Sequence, residues 1–305
     1  MSEYAVGIDV GGTKIWTAIG SREGCIIAER KEDTPSNAAR FISLLRSMVG
    51  AILSESGRSP AELAGIGIGL PGRVSADGRR LEWIPNLPFL DGNPLADILE
   101  GEWRVPVSLE NDGRLALYGE GWLGAARGCS DAIMLTLGTG VGGAIMIGGR
   151  LHRGARGTAG SMGWMNLDGS DPGGKDSGWL ERMVSGSAIN RRAAELPSRL
   201  DSFRLFAESA EGLAEARGLV EEIGMELGAA IAALVSILDP EIVILGGGVS
   251  EHLEALRPAI ERSMLAHASP ATRSTPVRAA ELLARAGMLG ALRLAFDEGR
   301  RKERE

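Results

Sequence analysis

The sequence predicts an α/β protein built from two similar halves. Three observations carry this reading. Short apolar runs end in glycine-rich turns, longer segments of helical periodicity separate them, and one strand–turn–strand pattern occurs twice. Residues 5–18 read AVGIDVGGTKIWTA and residues 132–145 read AIMLTLGTGVGGAI. Each is an apolar strand, a Gly/Thr turn and a second apolar strand. Their spacing of about 127 residues points to an internal duplication.

The elements follow in order. Residues 4–10 form a strand that runs into Gly11 and Gly12. Residues 38–56 carry Phe41, Leu44, Leu45, Met48 and Ile52 at helical spacing, and Gly57 ends that helix. GIGIGLPGRV, residues 65–74, is a second strand-like segment punctuated by Gly65, Gly67, Gly69 and Gly72. The apolar-rich residues 105–109 precede Glu110, Asn111 and Asp112, and a short helix is expected over 115–123. After the second hairpin a long apolar helix spans 213–238 and stops at Asp239-Pro240, because proline disfavours helical geometry in the residue before it. The buried strand 242–245 leads to Gly246, Gly247 and Gly248; helices over 253–267 and 281–296 follow. Residues 299–305 mix both charge signs and read as a solvated tail.

Composition narrows the function. A chain with 44% hydrophobic and 24% charged residues is not disordered. It has 44 glycines in 305 residues, about twice the usual share, without the three-residue period of collagen. A net charge of −7 offers no basic surface for nucleic acid, so no nucleic-acid partner is expected. Cys25 and Cys129 are too few for a disulfide scaffold or a cysteine-rich metal site. No basic-then-apolar leader opens the sequence, and its longest strongly apolar run, residues 231–238, is far short of the ~20 residues that span a bilayer. A cytoplasmic protein without a membrane partner is expected.

Four patches can carry chemistry. In Asp9-Val-Gly-Gly-Thr-Lys14, Gly11, Gly12 and Thr13 can donate hydrogen bonds to phosphate oxygens, Lys14 can offset their charge, and Asp9 can hold Mg²⁺ directly or through water. An ordinary β-turn with a solvated lysine accounts for the same residues. Neither a Walker A loop nor a dinucleotide fingerprint is present. The second turn, with Gly138, Thr139, Gly140 and Gly142, matches the first in kind, and two such turns can clamp a triphosphate. Gly246, Gly247 and Gly248 can lie flat against an adenosine or simply turn the chain from strand to helix. Asp112 can accept a proton from an alcohol attacking a phosphate, and Asn111 can orient that alcohol; helix N-capping is the competing reading of the pair.

DVGGTK, GLPGRV, NLP, the Asn-Asp pair, LGTGVGG and the closing GGG occur in the order found in the ROK sugar kinases and regulators, and the resemblance covers nearly the whole chain. It implies the actin-like ATPase (RNase H-like) fold of two α/β domains with a cleft between them. The implied division is residues 1–117 plus 288–305, with the first phosphate loop and the catalytic aspartate, and residues 118–287, with the second loop and the adenosine-binding glycines. Kinases of this family move the γ-phosphate of ATP to a sugar hydroxyl. By resemblance Asp112 is the catalytic base, Asn111 is a sugar ligand, and Gly72, Arg73 and Asn86 fall on loops lining the sugar site. ATP and Mg²⁺ are the implied cofactors and a homodimer the implied assembly.

The chain departs from the family in one segment. The common pattern is A-G-E-x-G-H followed by C-x-C-G-x-x-G-C-x-E. Here Ser161 and Trp164 replace the Glu and His, and Pro172, Gly174 and Trp179 replace the three Cys. None of the four residues at the His and Cys positions can ligate zinc, so no zinc is expected. Asp168, Asp171 and Asp176 read as solvated loop residues and His152 as a bystander. In relatives the replaced Glu and His hydrogen-bond the sugar, whereas Glu181 matches a sugar-binding Glu that is retained. Losing a charged hydrogen bond costs about 1.5–3 kcal/mol, which puts glucose itself in doubt more than phosphoryl transfer.

The expected function is ATP-dependent phosphorylation of a small-molecule sugar or sugar-like polyol. The alternatives are a catalytically silent sugar- or nucleotide-binding sensor of the same family, and an actin-like filament or chaperone ATPase. The first phosphate turn begins nine residues in, which argues against the DNA-binding helix-turn-helix of the family's regulators.

Overall fold

The computed structural model describes residues 2–302. The chain divides into two compact units. One comprises the residues up to 128, an excursion at 151–159, and the residues from 284 onward; the other comprises 129–150 and 160–283.

The first unit holds β1 (Tyr4–Val10), β2 (Lys14–Ser21), β3 (Ile26–Asp33), α1 (Ala38–Ser56), β4 (Leu63–Leu70), the short ribbon β5 (Arg73–Val74) and β6 (Leu81–Trp83), α2 (Leu95–Trp103), β7 (Val107–Asn111) and α3 (Asp112–Leu123). Its sheet runs β3-β2-β1-β4-β7, with β1, β2 and β3 antiparallel and β1, β4 and β7 parallel. The second unit begins with β8 (Ala132–Leu137) and β9 (Val141–Ile147), and its sheet takes in β10 (Arg150–Leu151). It continues with α4 (Trp179–Val184), α5 (Gly186–Glu195), α6 (Ser202–Glu211), α7 (Ala214–Leu238), β11 (Ile242–Gly246), α8 (Leu253–His267) and β12 (Val277–Ala279). Its order is β10-β9-β8-β11-β12, with β8 and β9 antiparallel and β8, β11 and β12 parallel. The two hairpins thus sit at equivalent places in two five-stranded sheets of like topology, as the repeated sequence pattern requires.

Helix ends follow the local chemistry. Asn37 caps α1 by accepting from Arg40 N, and Gly57 closes it in the left-handed region at φ 66°. α7 ends at Leu238, capped by Asp239 in left-handed backbone just before Pro240. The helix expected at 115–123 starts at Asp112 instead, because Asn111 caps it. The last helix, α9 (Ala286–Lys302), begins five residues later than expected. Before it come β12 and a 3₁₀ turn at Leu283–Arg285, entered through left-handed backbone at Leu283. α9 also carries helix into the segment expected as a solvated tail; residues 303–305 lie outside the described residues. The implied domain boundaries fall inside α3 and α9, and each helix belongs whole to the first unit.

The first core is built by Ile8, Ile15, Ile66, Ile68 and Leu109 from the sheet with Phe41, Leu45 and Ile52 from α1. The second packs Ile133, Leu135, Val243 and Leu245 against Ile223, Leu227 and Ile231 of α7. α9 lies on β1, β4 and α3 through glycines. A Cβ at Gly7 would come within 2.9 Å of Leu292 N; one at Gly67 would collide with the Ala291 carbonyl; one at Gly290 would collide with that of Leu115. These are backbone collisions, which side-chain rotation cannot relieve. Gly290→Ala is therefore expected to destabilise the protein by about 1–3 kcal/mol. Gly218→Ala, in α7 with nothing within 4 Å of the added carbon, is expected to be stabilising by about 0.5–1 kcal/mol. Denaturant melts of the two variants check this, and equal effects would contradict it.

Candidate active site

The parallel strands β1, β4 and β7 bring two carboxylates to one end of a sheet. Register pairs Asp9 with Gly69 and Gly69 with Glu110, so Asp9 and the Asn111-Asp112 corner leave the sheet at the same edge. Gly69, between them, has no side chain; a Cβ there would come 3.0 Å from Leu115 Cδ1 and 3.4 Å from Asp9 Oδ1. On its other side the Asp9 carboxylate faces Gly287, in the first turn of α9, where a Cβ would lie 3.0 Å from Oδ2. Two missing side chains thus make the cradle for one carboxylate. Burial, and then the charge of Asp112, push the Asp9 pKa up to about 6. Burial also raises that of Asp112, against hydrogen bonds that lower it.

Asp112 is the first residue of α3, and its Oδ1 accepts from Gly113 N at 2.8 Å and from Asn111 Nδ2 at 3.0 Å. Asn111 caps the helix, accepting from Arg114 N at 3.1 Å, and its amide also donates to Gly72 O at 3.1 Å. Capping and site-building are therefore one arrangement. Behind the corner lies a charge cluster that the sequence did not disclose. Glu110 is 1% exposed, accepts from Arg153 Nε at 2.5 Å and pairs with Arg114 at 3.3 Å. It also accepts from Asn111 N at 2.8 Å, while Arg114 Nη2 donates to Gly157 O at 2.6 Å. The excursion 151–159 is thereby fastened to the Asn111-Asp112 corner.

In the first turn Gly11 N is used on Lys14 O at 2.8 Å, and Thr34 holds both Gly11 O and Thr13 O. Gly12 and Thr13 are exposed. Lys14 does not stand free: its cross-strand neighbour is Asp33, and Nζ pairs with that carboxylate at 2.5 Å. Asn86 is exposed with its Cβ 3.8 Å from the place a Cβ of Gly12 would take. Gly72 passes against the Trp83 carbonyl, and Arg73 pairs with Glu82 at 3.0 Å.

In the second turn Gly138 and Gly142 have nothing closer than 4.0 Å to a built Cβ, and Thr139 is exposed at the tip. Gly140 is different. A Cβ there would come 2.6 Å from Glu181 Oε2, and that same oxygen accepts from Val141 N at 2.9 Å. Glu181, expected at a sugar, is thus bonded to the second glycine turn. In the third patch Gly246 is buried against Met134, and Gly247 needs left-handed backbone (φ 82°) beside Leu137. Gly248 is open. It lines a cavity of about 470 Å³ with Gly138, Thr139, Asn190, Phe203 and His252. Phe206 stacks on His252 in the wall, ring centroids 3.9 Å apart and 7° from parallel, and Phe203 is 78% exposed at the rim. Phe203 and Phe206 come from α6 and His252 from the turn before α8, with no shared motif, so no sequence pattern announces their meeting.

The ROK family model matches residues 5–298. The chain belongs to the ROK family. A glucokinase of Halalkalibacterium halodurans is 34% identical over 290 residues, covering 88% of this chain and 87% of its own length. The solved ROK hexokinase of Thermus thermophilus is 33% identical with a TM-score of 0.84, covering 98% of this chain and 99% of that one. A ROK glucokinase from Streptomyces griseus, solved with glucose and AMPPNP, is 30% identical with a TM-score of 0.73, covering 96% and 99%. The actin-like ATPase fold is therefore the fold of this chain.

In the segment where this ROK chain departs from the common pattern, Met162, Gly163 and Trp164 form a 3₁₀ turn packed on the start of α4. A Cβ at Gly163 would lie 3.2 Å from that of Glu181, so the turn and Glu181 are neighbours. Trp164 is 57% exposed. Among the described residues no group of three His, Cys, Asp or Glu side chains is placed to hold a metal ion, and no helix is long and apolar enough to cross a membrane.

The Asp9 pKa has a consequence for stability. Between its unfolded value of 3.8 and about 6, the folded chain holds a proton that the unfolded chain has lost. Stability therefore falls as pH rises through that window, by on the order of 2–3 kcal/mol. In chelator, Asp9→Asn is expected to melt higher than wild type at pH 8 and level with it at pH 4. Thermal melts across pH 4–8 read this; parallel curves would rule it out.

Proposed function

We propose that the protein is an ATP- and Mg²⁺-dependent kinase acting on a hydroxyl of a sugar or sugar-like polyol. The observation that carries the reading is Asp112. Its Oδ1 is held by Gly113 N and Asn111 Nδ2, Oδ2 stands outside those two contacts, and burial makes the carboxylate more basic. Oδ2 takes the proton of the attacking hydroxyl as its oxygen bonds the γ-phosphorus, and the bond from that phosphorus to the β-phosphate oxygen breaks, releasing ADP. Asn111 fixes Asp112 and, through Gly72 O, the loop that leads to Arg73.

Asp9 suits a divalent cation. It is a hard oxygen donor kept charged only at a cost, beside a second carboxylate, in a cradle that two glycines leave open. The cation, when bound, neutralises charge on the transferring phosphate. Gly12, Thr13, Thr139 and Gly142 are exposed positions that can face phosphates, whereas Gly138 N donates to Gly140 O at 3.0 Å and its carbonyl accepts from Gly186 N at 2.7 Å. The cavity at Gly248, with its stacked Phe206 and His252, suits an adenine. Gly11 and Gly246 are engaged internally, and Lys14 would have to leave Asp33 to reach a phosphate.

Ser161 and Trp164 support a sugar other than glucose. The relatives that bear glucokinase names and the family resemblance support the reaction type. Coupled ATP turnover over hexoses, amino sugars and cyclitols tests the reading. Asp112→Asn is expected to lower kcat by about 10²–10⁴-fold while affinity for a non-hydrolysable ATP analogue stays within threefold or so. Wild-type turnover is expected to fall on acidification, since a protonated Asp112 cannot accept the proton. Sugar binding without turnover by wild type would favour the sensor reading instead.

A further inference from the structure

The zinc implied by the family pattern does not fit this chain. Trp164, Pro172, Gly174 and Trp179 bring no ligand atoms to the four pattern positions. Two of the three nearby aspartates are committed elsewhere. Asp168 accepts from Ser170 N at 2.9 Å and Ser170 Oγ at 2.7 Å, and Asp171 accepts from Gly173 N at 3.0 Å and from a guanidinium.

We propose that Arg182 replaces the metal as the cross-link of this loop and, through α4, positions the second glycine turn. Both Asp171 oxygens lie 2.6 Å from Arg182 Nη2, and Nη1 donates to Ser177 O at 2.6 Å. One guanidinium therefore gathers two loop points six residues apart onto the helix that follows them. The side chains of Arg182 and Asp171 are only 23% and 13% exposed, so solvent screens the pair weakly. Leu180 N closes the base of the loop on Met165 O at 3.1 Å.

Gly174 gives an independent sign of the exchange. It occupies a cysteine position of the family pattern, and a Cβ there would collide with Arg182 Nη1 and with the Ser177 carbonyl. A side chain at 174 and the guanidinium cannot share this geometry. The loss of the thiolate and the presence of the arginine clamp are thus parts of one substitution.

The clamp reaches the site in one step. Arg182 is next to Glu181, whose carboxylate accepts from Val141 N at 2.9 Å and packs on Gly140. Fixing α4 fixes that carboxylate, and with it the turn. Only the identity of what the turn binds rests on the kinase reading.

The test uses the full chain and the variants Arg182→Gln, Arg182→Lys, Asp171→Asn and Gly174→Ala. Protein grown with added zinc is expected to carry below about 0.1 zinc per chain and to keep its melting temperature in a zinc-selective chelator. Cleavage within 166–178 by a dilute protease is expected to rise about tenfold in Arg182→Gln. Asp171→Asn should match it, Arg182→Lys should fall between, and Arg182→Gln/Asp171→Asn should be no worse than either single change. AMPPNP affinity by calorimetry should drop about tenfold with KM for ATP rising more than kcat falls. Should Arg182→Gln fail to fold, the near-isosteric Asp171→Asn and Gly174→Ala carry the same expectation. Stoichiometric zinc, or unchanged cleavage in these variants, overturns the proposal. A wild type without turnover would sink the kinase reading while zinc content and cleavage still decide the clamp.

Discussion

Two carboxylates held close together, half out of water, are the constraint around which the first unit is arranged. Like charges in a poorly solvated place repel, and each is costly to keep ionised. The sheet accepts them because Gly69 separates the strands that carry them without filling the space, and because α9 presents Gly287 rather than a side chain to Asp9. The first turn of α9 adds the positive end of a helix dipole beside that carboxylate. Asp112 is held differently, by a backbone N–H and an asparagine amide, and Asn111 is in turn held by Glu110 and the backbone of Gly72 and Arg114. Loosening any of these contacts would move a charge that no solvent shell stands ready to stabilise.

The glycine excess has two physical origins. Gly12, Gly138, Gly142 and Gly248 have nothing closer than 3.8 Å to the place of a side chain's first carbon, and none has left-handed backbone. Nothing in the folded chain itself demands glycine there. Gly7, Gly67, Gly119 and Gly290 are the reverse: each lets a helix or strand approach another backbone more closely than alanine allows. Gly224 and Gly228 do the same between α7 and α8. Composition alone merges these sets, and only geometry separates surface turns from packing contacts.

Local signals made the two hairpins, the ends of α1 and α7, the capping corner and the family legible in the sequence. Each rests on residues adjacent in the chain, such as Asn37, Gly57 or the Asp239-Pro240 pair. What stayed hidden depends on partners far apart. Lys14 reads as free until β3 places Asp33 across from it. Glu110 reads as part of a motif until Arg153, from the excursion, reaches it. Phe206 and His252 meet only once α6 and the turn before α8 are packed. α9 starts later than its composition implies because residues 283–285 carry helical composition but form a 3₁₀ turn entered through left-handed backbone.

α9 covers β1, β4 and α3, so the first unit is completed by a segment that follows the whole second unit in the chain. The second unit is nearly all synthesised before that helix emerges, and its sheet and core draw on residues 129–283. The glycine-lined faces of β1 and β4 have their native cover only when α9 arrives. Until then those faces lack their native cover, which is the condition under which exposed apolar surface recruits chaperones or misassembles during synthesis.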